Sequence, residues 1–261
     1  MTALEGGSQP ELGRRVAVVS PHLDDAVLSL GAAIVRAARR GSRVSVVTVF
    51  AGDPASITPA DAWGRRCGFS TSGEMYRARR AEDRAALASL GAEPRWLPFD
   101  VDAGNGEIAA SLKQVLAEFD SVLVPGSPCT HPDHVRVARL VLDGRPEARV
   151  GFYVDQPYAM WRLLGTPPLA GDGRAANLAG LVLRRSATRA LQRPQLPPEL
   201  AQRAGNVAWR PVDRSARELA AKLGAVYHYR SQLRGFGPIT VPGVLLYEAA
   251  AGGEAVGWER R

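Results

Sequence analysis

The sequence predicts an α/β fold: a Rossmann-like, doubly wound, mainly parallel sheet with helices on both faces. Three observations point to it. Short β-branched and apolar runs recur, too evenly apolar for a sheet with one wet face, so they read as strands buried on both sides. Segments with apolar residues at helical spacing separate them. The links from strand to helix and back are short, as in βαβ units.

Taken in order, Arg15–Val19 is the first predicted strand. Ala26–Arg40 follows as a helix, with Val27, Leu30, Ile34, Val35 and Ala38 at its spacing. Arginines near its end suit the helix dipole, and Gly41 is its stop. Arg43–Phe50 is the second strand. Glu74–Leu90 is predicted helical and stopped by Gly91, and Arg95–Phe99 is a short strand. Glu107–Phe119 is a helix, Ser121–Pro125 a buried strand, Val135–Leu142 a helix and Arg149–Val154 a strand. Gly104-Asn105-Gly106 reads as an isolated turn. Beyond Asp155, the prolines Pro157, Pro167, Pro168, Pro194, Pro197 and Pro198 predict long loops and short elements. Ser215–Ala225 is expected to be helical there, and Val244–Glu248 a late strand. Neither an internal repeat nor a linker marks a second domain.

With 261 residues, 46% hydrophobic and 23% charged, the chain can bury a substantial core without disulfides. Cys67 and Cys129 are too few for a secreted disulfide framework. The N-terminal ten residues are small, polar and acidic, unlike a secretory signal, and no run of apolar residues is long enough to span a bilayer. A cytoplasmic protein without membrane partners is expected. The net charge of +7 comes from arginines spread along the whole chain, with lysine only at Lys113 and Lys222. Nucleic-acid binding wants a basic stripe interleaved with aromatics, which is not found. Oligomeric state stays open, a homo-oligomer included.

Two short blocks carry the chemistry: Ser20-Pro21-His22-Leu23-Asp24-Asp25 and Thr130-His131-Pro132-Asp133-His134. The chain has four histidines, and three of them lie in these blocks beside aspartates. Imidazole and carboxylate bind divalent metals and move protons near neutral pH. Both blocks directly follow a predicted strand, so both should project from the carboxyl edge of the sheet, where open α/β sheets bind ligands. The first loop has no glycine and places two carboxylates where a dinucleotide phosphate would sit, which favours a cation over an anion. The plainer reading is helix capping, by Asp24 or Asp25 in the first block and by a Thr130-x-x-Asp133 box with Pro132 in the second. Capping needs none of the histidines. A metal-dependent hydrolytic site accounts for all of them.

At these residues the chain resembles the LmbE-like, or PIG-L-type, N-deacetylase family. The family signature is a Pro-His-x-Asp-Asp loop after the first strand and a later His-Pro-Asp-His. Here they stand as Pro21-His22-Leu23-Asp24-Asp25 and His131-Pro132-Asp133-His134. Leu23 replaces the commonest proline, and Arg79-Arg80-Ala81-Glu82 looks like the family's second helix. Tyr227 to Gln232 is a fainter echo. The resemblance implies a zinc-dependent N-deacetylase in which His22, Asp25 and His134 hold the metal, Asp24 is the general base, and His131 stabilises the oxyanion or assists the leaving group. Iron or cobalt also suits such a donor set. It implies one domain over residues 1–261, with a core at about 14–155 and the remainder supplying substrate loops and completing elements.

The implied substrate is an N-acetylated amino sugar or glycosylated small molecule, giving acetate and a free amine, in natural-product or thiol-cofactor metabolism. An amidase that removes a larger acyl group from a mycothiol-type conjugate is the alternative among enzymes. A catalytically silent sugar-binding module is the alternative outside them. Asp53–Gly73, with Trp63, is a candidate lid. Asp155 and Tyr158 are candidates for sugar hydroxyls, Trp161 for stacking, and Cys129 is expected to pack rather than to bind metal.

Overall fold

The computed structural model describes residues 12–164 and 194–259. A seven-stranded sheet runs in the order β3-β2-β1-β4-β5-β7-β6. Its strands are β1 (Arg15–Ser20), β2 (Arg43–Thr48), β3 (Glu93–Trp96), β4 (Ser121–Ser127), β5 (Arg149–Val154), β6 (Val207–Pro211) and β7 (Ala255–Glu259). The first five are parallel, whereas β7 pairs antiparallel with both β5 and β6. The helices are α1 (Asp25–Arg39), α2 (Ala62–Cys67), α3 (Ser72–Leu90), α4 (Asn105–Leu116), α5 (Pro132–Asp143), α6 (Tyr158–Leu164), α7 (Pro198–Ala204), α8 (Ala216–Val226), α9 (Arg230–Phe236) and α10 (Thr240–Ala251). Among the described residues no helix is long and apolar enough to cross a membrane.

Alternation along β1 shows why the runs are uniformly apolar. Val16 and Val18 join the core under α1, α3 and α8, while Ala17 and Val19 join the one under α4, α5 and α7. Each strand packs against two cores, so both faces are mainly apolar, with small hydroxyl residues such as Ser45 and Thr48 as the exceptions.

Helix α1 is not continuous. Leu30 leaves helical geometry (φ −132°, ψ 19°), and the freed N–H groups of Ala32 and Ala33 donate to the two carboxylate oxygens of Glu254 at 2.9 and 2.7 Å. Lys222 of α8 crosses this break, and its Nζ bonds Glu254 at 2.7 Å and also reaches Glu248. Only glycine fits at position 31, since a Cβ there would lie 2.7 Å from Lys222 Cγ. The C-terminal residues are thus built into the helix that follows the first motif.

The expected strand at Val244–Glu248 is instead part of α10. A short apolar run does not distinguish a strand from a buried helix, and here Val241, Val244 and Tyr247 are all buried while Glu248 turns to Lys222. Pro242 and Gly243 disguise the helix in the sequence. Gly243 packs where a Cβ would meet Met160 Sδ at 3.0 Å, and Gly252 ends the helix at φ 82°. The late strand is β7, four residues beyond the end of α10. Gly104 is the N-cap of α4 rather than part of a free turn. The Asp53–Gly73 segment contains α2, tied to α9 through Arg66 Nε to the Gly235 carbonyl (2.7 Å) and Trp63 Nε1 to Gln232 (2.9 Å).

Candidate metal centre

Strand order places the site. β1 leads through α1 to β2 on one side, while β4 lies against the other side of β1. The chain reverses direction across the sheet between these two strands, and a crevice opens at their carboxyl ends. The first block follows β1 and the second follows β4.

Ser20 shapes the first loop. Its Oγ donates to the His22 carbonyl (2.6 Å) and accepts from Ala26 N–H (3.1 Å), doing the capping that sequence reasoning offered to an aspartate. Asp24 occupies the N-cap position but makes no side-chain cap bond, and its φ of 155° is a conformation that side-chain-bearing residues rarely adopt. Asp25 begins the helix, and its Oδ2 accepts the His22 backbone N–H at 2.8 Å. In the second block the cap is His131, not Thr130. His131 Nδ1 accepts from Asp133 N–H (3.3 Å) with Pro132 in the first turn, which leaves the neutral ring's proton on Nε2.

These loops bring His22, Asp25 and His134 together. His22 Nδ1 lies 3.2 Å from His134 Nε2, and Asp25 Oδ2 lies 3.3 Å from each. The three donors form a nearly equilateral triangle, and a tetrahedral zinc with bonds of about 2.0–2.1 Å requires ligand edges of about 3.3–3.4 Å. The donor set therefore fits a divalent ion with an open fourth position. His22, His131 and Asp133 are a second set close enough to hold a cation. It is less buried, and His131 Nδ1 is already engaged by the α5 cap.

Both histidines of the triangle are held from behind by a carboxylate. His134 Nδ1 bonds Asp155 Oδ2 at 2.8 Å, and His22 Nε2 bonds Asp133 Oδ2 at 3.1 Å. Such partners fix ring orientation and raise ligand basicity. Asp155 is fully buried, so it does not face a sugar hydroxyl as the sequence suggested. Its buried carboxylate instead lies against the ring of His134. Sequence reasoning gave Asp133 only a helix-capping role, whereas the structure sets its carboxylate against His22.

Electrostatics separates the two adjacent aspartates. Burial alone would raise Asp25, but His134 and His22 hold its pKa down to about 2. Asp24 is pushed up to about 8, by burial first and then by the charge of Asp25. Among the described residues its Oδ2 has no hydrogen-bond partner, and its Oδ1 lies 3.8 Å from the buried Arg79 guanidinium. Burial pulls His22 down, but its hydrogen bonds to the Asp133 and Asp25 carboxylates, which accept, outweigh this and raise it to about 9. His134 is raised as well, because Asp155 and Asp25 overcome burial. The field inside the triangle thus favours a positive charge, which a proton or a metal ion can supply. His131 moves the other way, lowered to about 4 by burial and by its two histidine neighbours, and so stays neutral.

Tyr158 closes one side, its ring centroid 4.9 Å from that of His134 and 5.6 Å from that of His131. From there an aromatic row continues through Trp161 (5.3 Å) and Phe236 (5.5 Å) to Trp63 (4.9 Å). Trp63 is therefore three rings away from the metal triangle, and its N–H is already committed to Gln232. Cys129 is buried in the apolar core under α5, where burial pushes its thiol up, and it belongs to neither donor set. The Tyr227–Gln232 echo is an anchor. Tyr229 bonds Asp83 and Ser231 bonds Glu82, joining α9 to α3.

Residues 17–144 match the family described as PIG-L, GlcNAc-PI de-N-acetylase. The chain is 30% identical over 146 residues to 1D-myo-inositol 2-acetamido-2-deoxy-alpha-D-glucopyranoside deacetylase of Saccharomonospora viridis, covering 47% of this chain and 54% of that one. It spans about half the length of the curated relatives it matches. Among solved structures it is similar to the A40926 pseudoaglycone deacetylase Dbv21 (TM-score 0.69, 28% identity, 94% of this chain and 96% of that one). A triple mutant of a deacetylase of the teicoplanin biosynthetic pathway is comparably close (TM-score 0.70, 25% identity, 94% and 96%). Both motifs and the sheet that positions them fall within the family match or beside it. Residues 17–144 of this chain are a domain of the PIG-L (LmbE-like) GlcNAc-PI de-N-acetylase family.

Proposed function

We propose that the chain is a divalent-metal-dependent N-deacetylase that hydrolyses the acetamide of an amino sugar, alone or carried on a larger glycosylated molecule, to acetate and a free amine. The observation that carries this reading is the triangle of His22, Asp25 and His134 with the buried Asp24 carboxylate beside it, whose Oδ2 has no hydrogen-bond partner among the described residues. Similar proteins are a 1D-myo-inositol 2-acetamido-2-deoxy-alpha-D-glucopyranoside deacetylase, an A40926 pseudoaglycone deacetylase and a deacetylase of the teicoplanin biosynthetic pathway, which supports an N-acyl amino sugar as the substrate class. Zinc is the metal that the donor set favours, and iron is the next choice.

When bound, the metal supplies Lewis acidity and lowers the pKa of a water to about 7. Asp24 takes the proton of the attacking water and returns it to the departing amine nitrogen. Asp25, His22 and His134 hold the cation, while Asp155 and Asp133 keep the two rings in orientation. His131 presents a neutral Nε2–H to the oxygen on which charge develops. Because β6, β7 and Glu254 complete the same sheet and brace α1, residues 1–261 act as one unit in this reading. The free, buried thiols Cys67 and Cys129 suit a cytoplasmic setting.

The test is metal content and acetate release, comparing wild type with His134→Ala prepared identically. About one metal ion per chain, lost in the variant together with acetate release from N-acetylated amino sugars, is expected. No metal in the wild type after reconstitution would overturn the reading. Bound metal with saturable sugar binding but no acetate would reassign the chain to a binding module.

A further inference from the structure

We infer that Ser29 is a positioning residue of the metal centre: its hydroxyl ties the turn of α1 that carries Asp25 to the chain that carries Asp155, and so sets the spacing of Asp25 and His134. The inference deepens the deacetylase reading and rests on it for the metal alone.

A ligand on a long, continuous helix is aimed by the body of that helix. Asp25 lacks that support. Helical geometry fails at Leu30, so Asp25–Ser29 is a single turn that the rest of α1 does not aim. The turn is fastened at its start by Ser20 Oγ, which accepts from Ala26 N–H (3.1 Å). At its end stands Ser29, 2% exposed, whose Oγ accepts the backbone N–H of Gln156 at 3.0 Å. A serine inside a helix commonly bonds a carbonyl of its own preceding turn. This one takes a donor 127 positions further along the chain.

The far side of the bond explains the pairing. β5 pairs with β4 as far as Val154, opposite Ser127, and Asp155 N–H still reaches the Ser127 carbonyl (2.7 Å). The next donor, on Gln156, lies beyond the ladder and is buried. A buried N–H left without an acceptor costs more than an ordinary bond contributes. Ser29 supplies the acceptor, and Gln156 Oε1 then accepts Met160 N–H (3.3 Å) in α6.

These links close a ring round the metal position. Asp25 Oδ2 faces His134 Nε2 at 3.3 Å, and His134 Nδ1 bonds Asp155 Oδ2 at 2.8 Å. Gln156 N–H bonds Ser29 Oγ, and one helical turn leads from Ser29 back to Asp25. Residues four apart in a helix share a face, so the turn presents its ligand and its anchor to the same side. The carboxylate that orients one ligand and the helix that holds another are joined by a bond that touches neither ligand. Opening the ring leaves each ligand in place but frees their spacing, which a metal ion registers as lost affinity.

The experiment measures zinc affinity of the metal-free proteins by chelator competition, with thermal midpoints recorded alongside. Ser29→Ala should bind zinc about fivefold more weakly, the scale of one neutral hydrogen bond, and Asp155→Ala about a hundredfold. A ring is opened only once. The double variant should therefore stay within about twofold of Asp155→Ala and not reach the product, about five hundredfold. Ser42→Ala is the control, since Ser42 is also buried and its hydroxyl donates to the Gly13 carbonyl (2.7 Å) at the opposite end of the strands. It should lower the midpoint comparably and leave zinc affinity unchanged. Wild-type affinity in Ser29→Ala, losses that multiply in the double variant, or an equal loss in Ser42→Ala would overturn the role of Ser29. Because no substrate takes part, wild type that binds zinc but releases no acetate would bring down the deacetylase reading and leave this role standing.

Discussion

Replacing Asp155 by asparagine tests whether the metal centre is built outward from a buried carboxylate. His134 Nδ1 and Asp155 Oδ2 are 2.8 Å apart, and both side chains are completely inaccessible, so no water can replace the lost charge. A hydrogen bond to a charged group in such a place contributes about 1.5–3 kcal/mol. Loss of a carboxylate behind a ligating histidine costs about 10–100-fold in metal affinity, or about 1.4–2.8 kcal/mol. The two scales agree. Asparagine keeps an acceptor for Nδ1–H but not the charge, so Asp155→Asn should bind zinc about tenfold more weakly. Asp155→Ala also orphans a buried N–H and should reach about a hundredfold. Competition of the metal-free proteins against a chromophoric chelator measures both, with thermal midpoints recorded alongside. Equal zinc affinity in all three folded proteins would refute the argument and leave Asp155 a packing residue.

Asp24→Asn should keep its metal while kcat falls by at least about 10²-fold, and undiminished turnover would remove Asp24 from the base role. Lys222→Met leaves Glu248 and Glu254 buried without their shared cation, so unfolding should become easier by about 3–5 kcal/mol. At about 2 °C per kcal/mol for a chain of this size, the midpoint should fall by about 6–10 °C. Burial already raises Glu254 despite Lys222. A carboxyl whose folded-state pKa lies above its unfolded value costs stability at high pH and returns it as pH falls through the folded value. The deficit should therefore shrink as pH is lowered towards the ordinary glutamate range, and a pH-independent deficit would count against the buried-charge account. Trp63→Phe removes one bond to Gln232 three rings away from the metal, so kcat/KM should stay within about twofold while stability drops by about 1 kcal/mol. A tenfold fall in kcat/KM would place Trp63 on the substrate surface after all.

Much of the fold could be read in the sequence for one physical reason. β1, β2, β4 and β5 are covered on both faces, which leaves unbroken apolar runs such as Val16–Val19 and Val122–Val124. The motif histidines stood out because the chain has so few. The rest depended on pairings far apart in sequence. Asp155 looks like any acid after a strand until the fold puts His134 above it. The break at Leu30 is invisible locally because the groups that stabilise it, Glu254 and Lys222, lie about two hundred residues away. Val244–Glu248 misled because α10 is buried without a clear polar face, and periodicity vanishes when a helix is covered on several sides.

In the proposed reaction the adjacent aspartates divide the work, Asp25 as ligand and Asp24 as base. Asp24 leaves ordinary backbone geometry at φ 155° while Asp25 is already helical, so consecutive carboxylates enter different surroundings. Asp25 meets two imidazoles and its own loop's N–H, which favour the charged form. Asp24 meets burial and the charge of Asp25, which disfavour the charged form and outweigh the opposing pull of the Arg79 guanidinium 3.8 Å away. Groups driven apart in this way commonly divide ligand and proton-transfer duties. The two duties are incompatible in one side chain, since a carboxylate committed to a cation is a poor proton acceptor. The unusual φ at Asp24 is the structural cost of keeping them side by side, and relieving it should move the base before it moves the metal.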